Sequence, residues 1–400
     1  MRVVPLLDAD GECGGKAAAL GVLLRASLPV PPGWVLTGLR PEAEHDPALL
    51  AVVTVALERL GGGSVAVRSS APDEDGPATS WAGVLETVLG VRDPEAVTDA
   101  VLACVASTTG PPAVAYRRRL GRPSTVVAPV LVQSLVAADC SGVLFTRHPV
   151  TGAEEVLVEA SYGLGTSVVT GAVAPDRVTV RGDAVDVEVG DKASRLDAVD
   201  GRLVRTDVPP LDRARPCLTE DQVHRLVDLG AAAVDVLGGP QDVEWALVGD
   251  DLWLLQSRPI TGAAGAVSAA GSAGAVQRGE ATATAGLRPL ATGIPASPGE
   301  ATGAVRVLDD PAGRLDPGEV LVCTTTSPAW THLLSVAGAV VTETGTLLSH
   351  AAIVAREFGI PAVVSVRSAT TLLADGSTVT VDGGRGTVDD APPGPGGDRA

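Results

Sequence analysis

The sequence predicts a two-domain protein of mixed α+β or α/β class, with the domains joined by a flexible linker. A chain of 400 residues is longer than one hydrophobic core usually organises. Short Val- and Leu-rich runs, separated by Gly and Pro, alternate with segments whose apolar residues recur every three or four positions. Between residues 261 and 286, Ala, Gly, Ser and Thr replace this pattern. We therefore expect one domain on each side of that stretch.

The first domain, residues 1–260, combines strand and helix patterns. Apolar runs predict strands at 64–67, 126–133, 142–146, 156–159 and 252–256. Helical spacing predicts helices at 47–60, 95–105 and 219–237, the last with Thr219 as its N-cap. The linker follows at 261–287. If it behaves as a flexible coil, it spans roughly 25–30 Å.

The second domain, residues 288–391, is expected to be a compact α/β unit. The same patterns predict strands at 304–308, 320–323, 339–341, 362–364 and 378–381, and helices near 331–336 and 350–358. The Pro- and Gly-rich tail, 392–400, is expected to be disordered.

Composition excludes several classes of function. The net charge of -18 repels nucleic-acid phosphates and anionic membrane surfaces, so neither is an expected partner. No segment approaches 18 uninterrupted apolar residues, and the N-terminus has no secretory pattern. The five cysteines are scattered without a CxxC pair, which argues against a disulfide framework or zinc site and favours a reducing cytoplasm.

A histidine in the second domain is the first chemical candidate. Within residues 343–361, a Gly-containing loop follows a strand and places His350 at the start of a short helix. A phosphoryl group on the imidazole would face the free N–H groups of that helix, and hydroxyl donors are available from Ser349, Thr346 and Thr344. A neutral imidazole is a competent nucleophile near pH 7, because its usual pKa is about 6.5.

The first domain contains side chains suited to binding phosphate. Gly14-Gly15-Lys16 presents a lysine at the start of a helix, although a lysine in this setting alone is more often solvated. Arg68 ends a strand before a loop of small residues, and its guanidinium can donate to two phosphate oxygens. Gln133 follows a Val-rich strand and is a candidate for the adenine edge of a nucleotide site.

Two neighbouring strand patterns bring four polar side chains together. Alternation places Asp242 and Glu244 on one face of a strand, and Gln256 and Arg258 on one face of the next. Carboxylates that bridge Mg²⁺ to phosphate oxygens, with an arginine countering developing charge, are what phosphoryl transfer needs. A generic surface hairpin is the alternative interpretation of this pattern.

These segments resemble one family. Residues 349–357, Ser-His-Ala-Ala-Ile-Val-Ala-Arg-Glu, continue to Gly-Ile-Pro-Ala-Val-Val and closely resemble the phosphohistidine motif of the swivelling domain in phosphoenolpyruvate synthase, pyruvate phosphate dikinase and rifampicin phosphotransferase. Residues 296–307 and 326–343 resemble other parts of that domain. In the first domain, the segments around Lys16 and Arg68, the loop 80–87, the Tyr116-Arg117 pair and the 242–259 hairpin resemble the ATP-binding part.

The resemblance implies an ATP-grasp-like first domain that binds ATP between its lobes, and a swivelling phosphohistidine β/α second domain. It implies that His350 and Arg68 are catalytic, and that Glu244 and Gln256 bind Mg²⁺. We predict ATP contacts from Lys16, Arg68, Arg117, Gln133, Asp242, Glu244, Gln256 and Arg258. The prediction for Gln133 rests on its position after the Val-rich strand pattern.

The implied reaction is a dikinase-type transfer. The β-phosphoryl group of ATP would pass to His350 and leave AMP, the γ-phosphoryl group would go to water or phosphate, and the second domain would carry the phosphohistidine to a small-molecule acceptor. The family has a second glycine where this chain has Thr346. His332 and His148 also replace family residues, and both are interpreted as surface or structural.

The acceptor is left open by the sequence. No acceptor-binding domain follows residue 400, so a separate acceptor-binding subunit is expected. One alternative is a self-sufficient antibiotic or metabolite phosphotransferase. Another is a non-catalytic nucleotide-sensing protein, which the retention of the polar residues above argues against.

Overall fold

The computed structural model describes residues 1–40, 46–72, 85–119, 121, 126–260, 289–347 and 349–391. The chain divides into two compact units. The N-terminal unit comprises Met1–His148 and Ala153–Ile260, and the C-terminal unit comprises Thr261–Ala400 with Pro149–Gly152. The predicted linker at 261–287, the tail at 392–400 and residues 80–84 of the predicted phosphate-covering loop lie outside the described residues. The domain boundaries 1–260 and 288–391 stay predictions.

The first half of the N-terminal unit is an antiparallel five-stranded sheet covered by helices. Its strand order is β1-β2-β5-β3-β4, with β1 Arg2–Pro5, β2 Gly33–Thr37, β3 Val65–Ser69, β4 Thr87–Val91 and β5 Val130–Ser134. The helices are α1 Gly15–Arg25, α2 Pro47–Arg59, α3 Pro94–Ser107 and α4 Pro111–Arg119. Asp46 and Asp93 cap α2 and α3, each followed by a proline in the first turn. The apolar faces of α2 and α3 pack on the sheet.

The second half of the N-terminal unit is an antiparallel six-stranded sheet, ordered β13-β12-β6-β7-β8-β9, with a separate hairpin, β10-β11. These strands are β6 Cys140–Phe145, β7 Val156–Tyr162, β8 Asp176–Arg181, β9 Ala184–Glu188, β10 Ser194–Val199, β11 Arg202–Asp207, β12 Gln241–Val248 and β13 Asp251–Pro259. The helices are α5 Thr166–Val169, α6 Pro210–Arg213 and α7 Glu220–Leu237. Thr219 and Gln222 form a capping box at the start of α7.

One face of the six-stranded sheet is apolar and covered. Helices α1 and α7 contribute to a core with Val243, Trp245 and Leu247 of β12. Side chains alternate along a strand, so Asp242 and Glu244 lie on the opposite face. The packing of α1 and α7 therefore decides which face of the sheet carries the polar residues.

The C-terminal unit is an eight-stranded sheet, ordered β14-β21-β20-β16-β17-β18-β19-β15. Its strands are β14 Ala291–Thr292, β15 Ile294–Ser297, β16 Glu300–Val307, β17 Val320–Cys323, β18 Ala339–Thr342, β19 Ala362–Val364, β20 Thr378–Asp382 and β21 Thr387–Asp390. Its helices are α8 Thr331–Leu334, α9 His350–Phe358 and α10 Ala369–Leu372. Strands β16 to β19 run parallel, so the loops after β17 and β18 leave the same edge.

The structure confirms the predicted mixed α/β fold and corrects several boundaries. The strand predicted at 126–133 is wrong in its first half: β5 begins at Val130, because Pro129 has no N–H to donate to a strand ladder. Strand β16 begins four residues before the predicted 304–308 and ends at Val307, and α8 ends at Leu334 rather than at residue 336. In the part of the chain that the structure describes, no helix is long and apolar enough to cross a membrane.

Candidate functional site

The β12-β13 hairpin places four polar side chains in two cross-strand pairs. Asp242 lies opposite Arg258, and Glu244 lies opposite Gln256. Arg258 Nε donates to Asp242 Oδ2 at 2.9 Å, with the two side chains 11% and 8% exposed. A charge-assisted hydrogen bond at this depth fixes the positions of both side chains.

Arg68 contacts this hairpin from the end of β3. Its Nη2 donates to Glu244 Oε2 at 2.9 Å and to Gln256 Oε1, and its Nη1 donates to the carbonyl oxygen of Leu255 at 2.9 Å. One guanidinium therefore links the two sheets of the N-terminal unit. Two of the oxygens that it contacts belong to the predicted metal ligands.

The charge of Glu244 is set by its surroundings. Burial raises the pKa of its carboxyl, but the positive charges of Arg68, Arg258 and Lys16 outweigh burial and hold the pKa below its usual range. Glu244 is therefore a carboxylate at neutral pH. The three cations that act on it are all predicted ATP contacts.

Lys16 is held by a close approach between α1 and the loop after β3. Its Nζ donates to Ser69 O at 3.1 Å, and Ser70 Oγ accepts from Ala17 N at 3.0 Å. Gly14 precedes the helix at φ 84°, and a Cβ there would lie 1.7 Å from Ser70 O. Only glycine satisfies both the backbone conformation and the contact. The glycine turn thus positions the lysine beside the strand that carries Arg68.

Arg117 and Gln133 are buried, and their described hydrogen bonds go to backbone carbonyls. Arg117 Nη1, on α4, donates to Thr108 O at 2.7 Å. Gln133 Nε2, on β5, donates to Pro31 O at 3.1 Å. Their predicted roles at a nucleotide stay predictions.

In the C-terminal unit, His350 is the first residue of α9, and its two ring nitrogens contact threonine hydroxyls. Nδ1 lies 2.9 Å from Thr326 Oγ1, and Nε2 lies 3.2 Å from Thr331 Oγ1. The residue is 9% exposed, and burial lowers the pKa of the imidazole to about 3. His350 is therefore uncharged at neutral pH, with a lone pair on one ring nitrogen.

Two of the three hydroxyls that we expect to bind a phosphoryl group have backbone partners. Ser349 Oγ donates to Thr346 O at 2.9 Å, and Thr344 Oγ1 donates to Thr324 O at 3.1 Å. The Ser349 side chain makes no capping bond to α9. These hydroxyls therefore shape the loop rather than cap the helix.

The loop before His350 is fixed by Gly345 and Arg356. The positive φ falls on Gly345, at 139°, and Thr346 is not among the described residues with positive φ. The replacement of a glycine by Thr346 therefore causes no backbone strain. Arg356, on α9, donates to Leu347 O at 2.8 Å and to Ala296 O at 2.9 Å, so it ties the loop to β15.

His332 and His148 have the surroundings expected of surface or structural residues. His332 is exposed, and its Nδ1 contacts Ala329 O at 2.9 Å. His148 Nε2 lies 3.9 Å from Glu155 Oε1.

Glu244 and Gln256 fit a magnesium ion in their donor chemistry. Both turn an oxygen towards Arg68 Nη2, so they converge on one cationic position. Magnesium is commonly held by one or two protein oxygens together with substrate phosphates. Within the described ranges, no group of three or more His, Cys, Asp and Glu side chains is arranged to hold a metal. Phosphate oxygens and water would therefore complete the coordination.

Sequence reasoning missed Thr326 and Thr331. Both follow β17, which is parallel to β18, the strand that leads to the histidine loop. Carboxyl ends of parallel strands share an edge, so this placement could have been inferred once 320–323 and 339–341 were paired.

The comparison with family models accounts for both units. Residues 41–274 match the pyruvate phosphate dikinase AMP/ATP-binding domain, more than half of the chain. Residues 315–386 match the mobile domain of PEP-utilising enzymes.

The chain belongs to the phosphoenolpyruvate synthase and pyruvate phosphate dikinase family. The polar hairpin lies in the AMP/ATP-binding match, and His350 lies in the mobile-domain match.

Individual relatives cover most of the chain. It is 36% identical to a protein named "Probable phosphoenolpyruvate synthase" from Archaeoglobus fulgidus, over 97% of this chain and 58% of that protein. It is 35% identical to the phosphoenolpyruvate synthase of Aeropyrum pernix, over 94% and 56%. For the Pyrococcus furiosus enzyme of the same name, identity is 38% over 81% and 40%. The chain thus spans between 40% and 58% of the length of these three relatives.

A solved structure of a dinucleotide-forming acetyl-coenzyme A synthetase from Ca. Korarchaeum cryptofilum covers 61% of this chain and 91% of that one. Its sequence identity is 12% and its TM-score is 0.36.

Proposed function

We propose that this chain is an ATP-dependent, dikinase-type phosphotransferase that forms phosphohistidine at His350. The observation that carries the proposal is an uncharged imidazole at the start of α9, inside the segment that matches the mobile domain. An uncharged imidazole has the lone pair that attack on phosphorus requires.

The nucleotide is ATP, bound in the N-terminal unit. The cluster of Lys16, Arg68 and Arg258 around Glu244 supports this assignment, because it concentrates phosphate-binding cations beside a carboxylate. Arg68 would exchange Glu244 and Gln256 for phosphate oxygens when the nucleotide binds. Asp242 keeps Arg258 directed during that exchange.

Magnesium would be held by Glu244 Oε2 and Gln256 Oε1, the oxygens that Arg68 Nη2 contacts. A bound Mg²⁺ neutralises charge on the phosphates and orients them. The protein contributes the fixed spacing of the β12-β13 register, in which these two residues are opposite each other.

At His350, a bond forms between a ring nitrogen and the β-phosphorus, and the bond from that phosphorus to the AMP oxygen breaks. The γ-phosphoryl group goes to water or phosphate. His350 is 9% exposed, so the transfer includes a rearrangement that opens one ring nitrogen to the nucleotide. The threonine hydroxyls at both nitrogens orient the ring until then.

The phosphoryl group then passes to a small-molecule acceptor, which we place on a separate subunit. This part of the proposal follows from the family resemblance. The test is to add candidate acceptors such as pyruvate to the labelled chain with no other protein present. Loss of the label would contradict the need for a separate subunit.

The experiment is incubation with ATP labelled at the β- or γ-phosphorus in the presence of Mg²⁺. We expect acid-labile, base-stable label on the protein from β-labelled ATP, and none after chelation of the metal. His350→Ala should take up none. His332→Ala is the matched control, because it removes an exposed histidine of the same unit and should label like the wild type.

Two results contradict the proposal. Equal labelling of His350→Ala and wild type would show that His350 does not carry the phosphoryl group. Label from γ- but not β-labelled ATP would be consistent with His350 as the phosphoryl carrier but would contradict the dikinase-type reaction.

A further inference from the structure

Two cysteines that are far apart in sequence meet in the N-terminal unit. Cys140 is the first residue of β6, and Cys217 lies in the loop before α7. Their Sγ atoms are 3.2 Å apart, and both are free thiols. The separation exceeds a disulfide bond length by about 1.2 Å, so a small adjustment would join them.

The backbone at both cysteines is held in place. Cys217 N donates to Asp176 Oδ2 at 2.8 Å, and the buried Lys192 Nζ donates to Asp176 Oδ1. Lys192 also donates to the carbonyl oxygens of Gly190 and Arg213.

Cys140 is paired with Tyr162 of β7 on one side and with Leu247 of β12 on the other. The two thiols therefore lie close together in segments that hydrogen bonds already hold in place.

The two thiols of the pair differ in burial. Cys217 is half-buried, whereas Cys140 is buried. The residues on either side of Cys217, Pro216 and Leu218, line a cavity of about 230 Å³ together with Asp176. The hydrogen bond with Cys140, followed by burial, raises the pKa of the Cys217 thiol, so the resting pair consists of protonated thiols and reacts slowly with peroxide.

The thiol pair is separate from the polar hairpin face. Cys140 and its cross-strand partner Leu247 both belong to the apolar core beneath α7. Asp242 and Glu244 lie on the opposite face of the same sheet. A change at the thiols can therefore be tested independently of ATP chemistry.

We propose that Cys140 and Cys217 form an oxidation-sensitive dithiol, a modification site for hydroperoxides. The Cys217 sulfur attacks the peroxide, forms a sulfenic acid and releases water. The Cys140 thiol then displaces the sulfenic hydroxyl, which leaves as a second water, and the disulfide forms. Hydrogen peroxide is the oxidant and takes up the two electrons that the sulfurs lose.

The test uses the full chain, treated with hydrogen peroxide, quenched under denaturing conditions with a thiol-blocking maleimide and mapped by mass spectrometry. We expect a peptide pair linked through Cys140 and Cys217, lighter than the sum of its thiol forms by two hydrogen atoms. We also expect the melting temperature to rise by about 5 °C, since the bridge closes a long loop, and to return after reduction with dithiothreitol.

Variants separate this bridge from general oxidation. Cys217→Ser should lose both the linked peptide and the temperature rise. Cys323→Ser removes a cysteine of the C-terminal unit and should retain both. The linked peptide is read in the wild type, so the result does not depend on how well a variant folds. Absence of that peptide under conditions that oxidise other cysteines would overturn the proposal, and so would a temperature rise that persists in Cys217→Ser.

Discussion

The two candidate sites differ in the charge of the groups that they bring together. Around Glu244, three cations and two carboxylates are held close together, and Arg68 and Arg258 each donate to a carboxylate of β12. Around His350, burial keeps the ring uncharged and its hydrogen-bond partners are neutral hydroxyls. The N-terminal site therefore surrounds a carboxylate with cations, whereas the C-terminal site holds an uncharged ring with a lone pair on one nitrogen.

The largest effect should follow from removing the charge that balances the N-terminal cations. In Glu244→Gln, the cations lose their shared counterion and the proposed metal loses a carboxylate ligand. We expect β-phosphoryl labelling of His350 to slow by about a thousandfold. Single-turnover labelling measures the rate, and the exposed Glu12→Gln serves as the control. A rate within a few-fold of wild type would show that the charge cluster does not serve the transfer.

The next effect concerns stability. Asp242→Asn leaves the guanidinium of Arg258 buried without its carboxylate, and we expect the free energy of unfolding to fall by about 3 kcal/mol. Denaturant unfolding monitored by tryptophan fluorescence gives the value. The exposed Arg2–Glu12 pair is the comparison, because Glu12→Gln should change stability by less than about 0.5 kcal/mol. Similar values for the two variants would contradict the role of burial.

The uncharged imidazole should make stability depend on pH. The pKa of His350 is about 3 in the folded chain and about 6.5 when unfolded, so only the unfolded state takes up the proton between those values. The contribution of this imidazole to the free energy of unfolding is complete above about pH 6.5. Below that pH, it decreases by at most about 1.4 kcal/mol for each unit by which the pH is lowered. Urea unfolding between about pH 4.5 and 7 measures this slope.

His350→Gln should flatten that dependence, whereas the exposed His332→Gln should keep it. An unchanged slope in His350→Gln would mean that the imidazole titrates alike in both states.

The smallest effect tests the threonine at Nδ1. Thr326→Val keeps the shape of the side chain but removes the hydroxyl that orients the ring, so we expect labelling to slow about tenfold with ATP affinity unchanged. Thr326→Ser should restore the rate. Thr302→Val, which removes an exposed hydroxyl that pairs with Thr380, is the matched control in the same unit. A wild-type rate in Thr326→Val would leave Thr326 with a structural role only.

The sequence predicted the two sites unequally well. Alternation was enough to place Asp242 with Glu244 and Gln256 with Arg258, because that pattern is local to one hairpin. The contact from Arg68 to the hairpin was not predictable, since it joins residues 176 and 188 positions apart. Local patterns carry no information about such a contact.

Three of the strands that the sequence missed have a physical explanation. Charged residues interrupt strands β9, β10 and β11, and none of their side chains is fully buried, so they lack the apolar run that marks a strand. The pairing of Cys140 with Cys217 was missed for a different reason: the two residues are 77 positions apart in the sequence. The scatter of the five cysteines and the lack of a CxxC pair argued against a disulfide framework.

The guanidinium of Arg68 also has a consequence for the order of binding. In the described state its Nη2 occupies the position where the oxygens of Glu244 and Gln256 converge, so in the proposed site it would compete with a divalent ion. A free metal ion would have to displace a cation that cannot diffuse away. A nucleotide that arrives with its metal would supply a new anion for the arginine and ligands for the ion in one step, so the proposed site would take up magnesium together with the triphosphate.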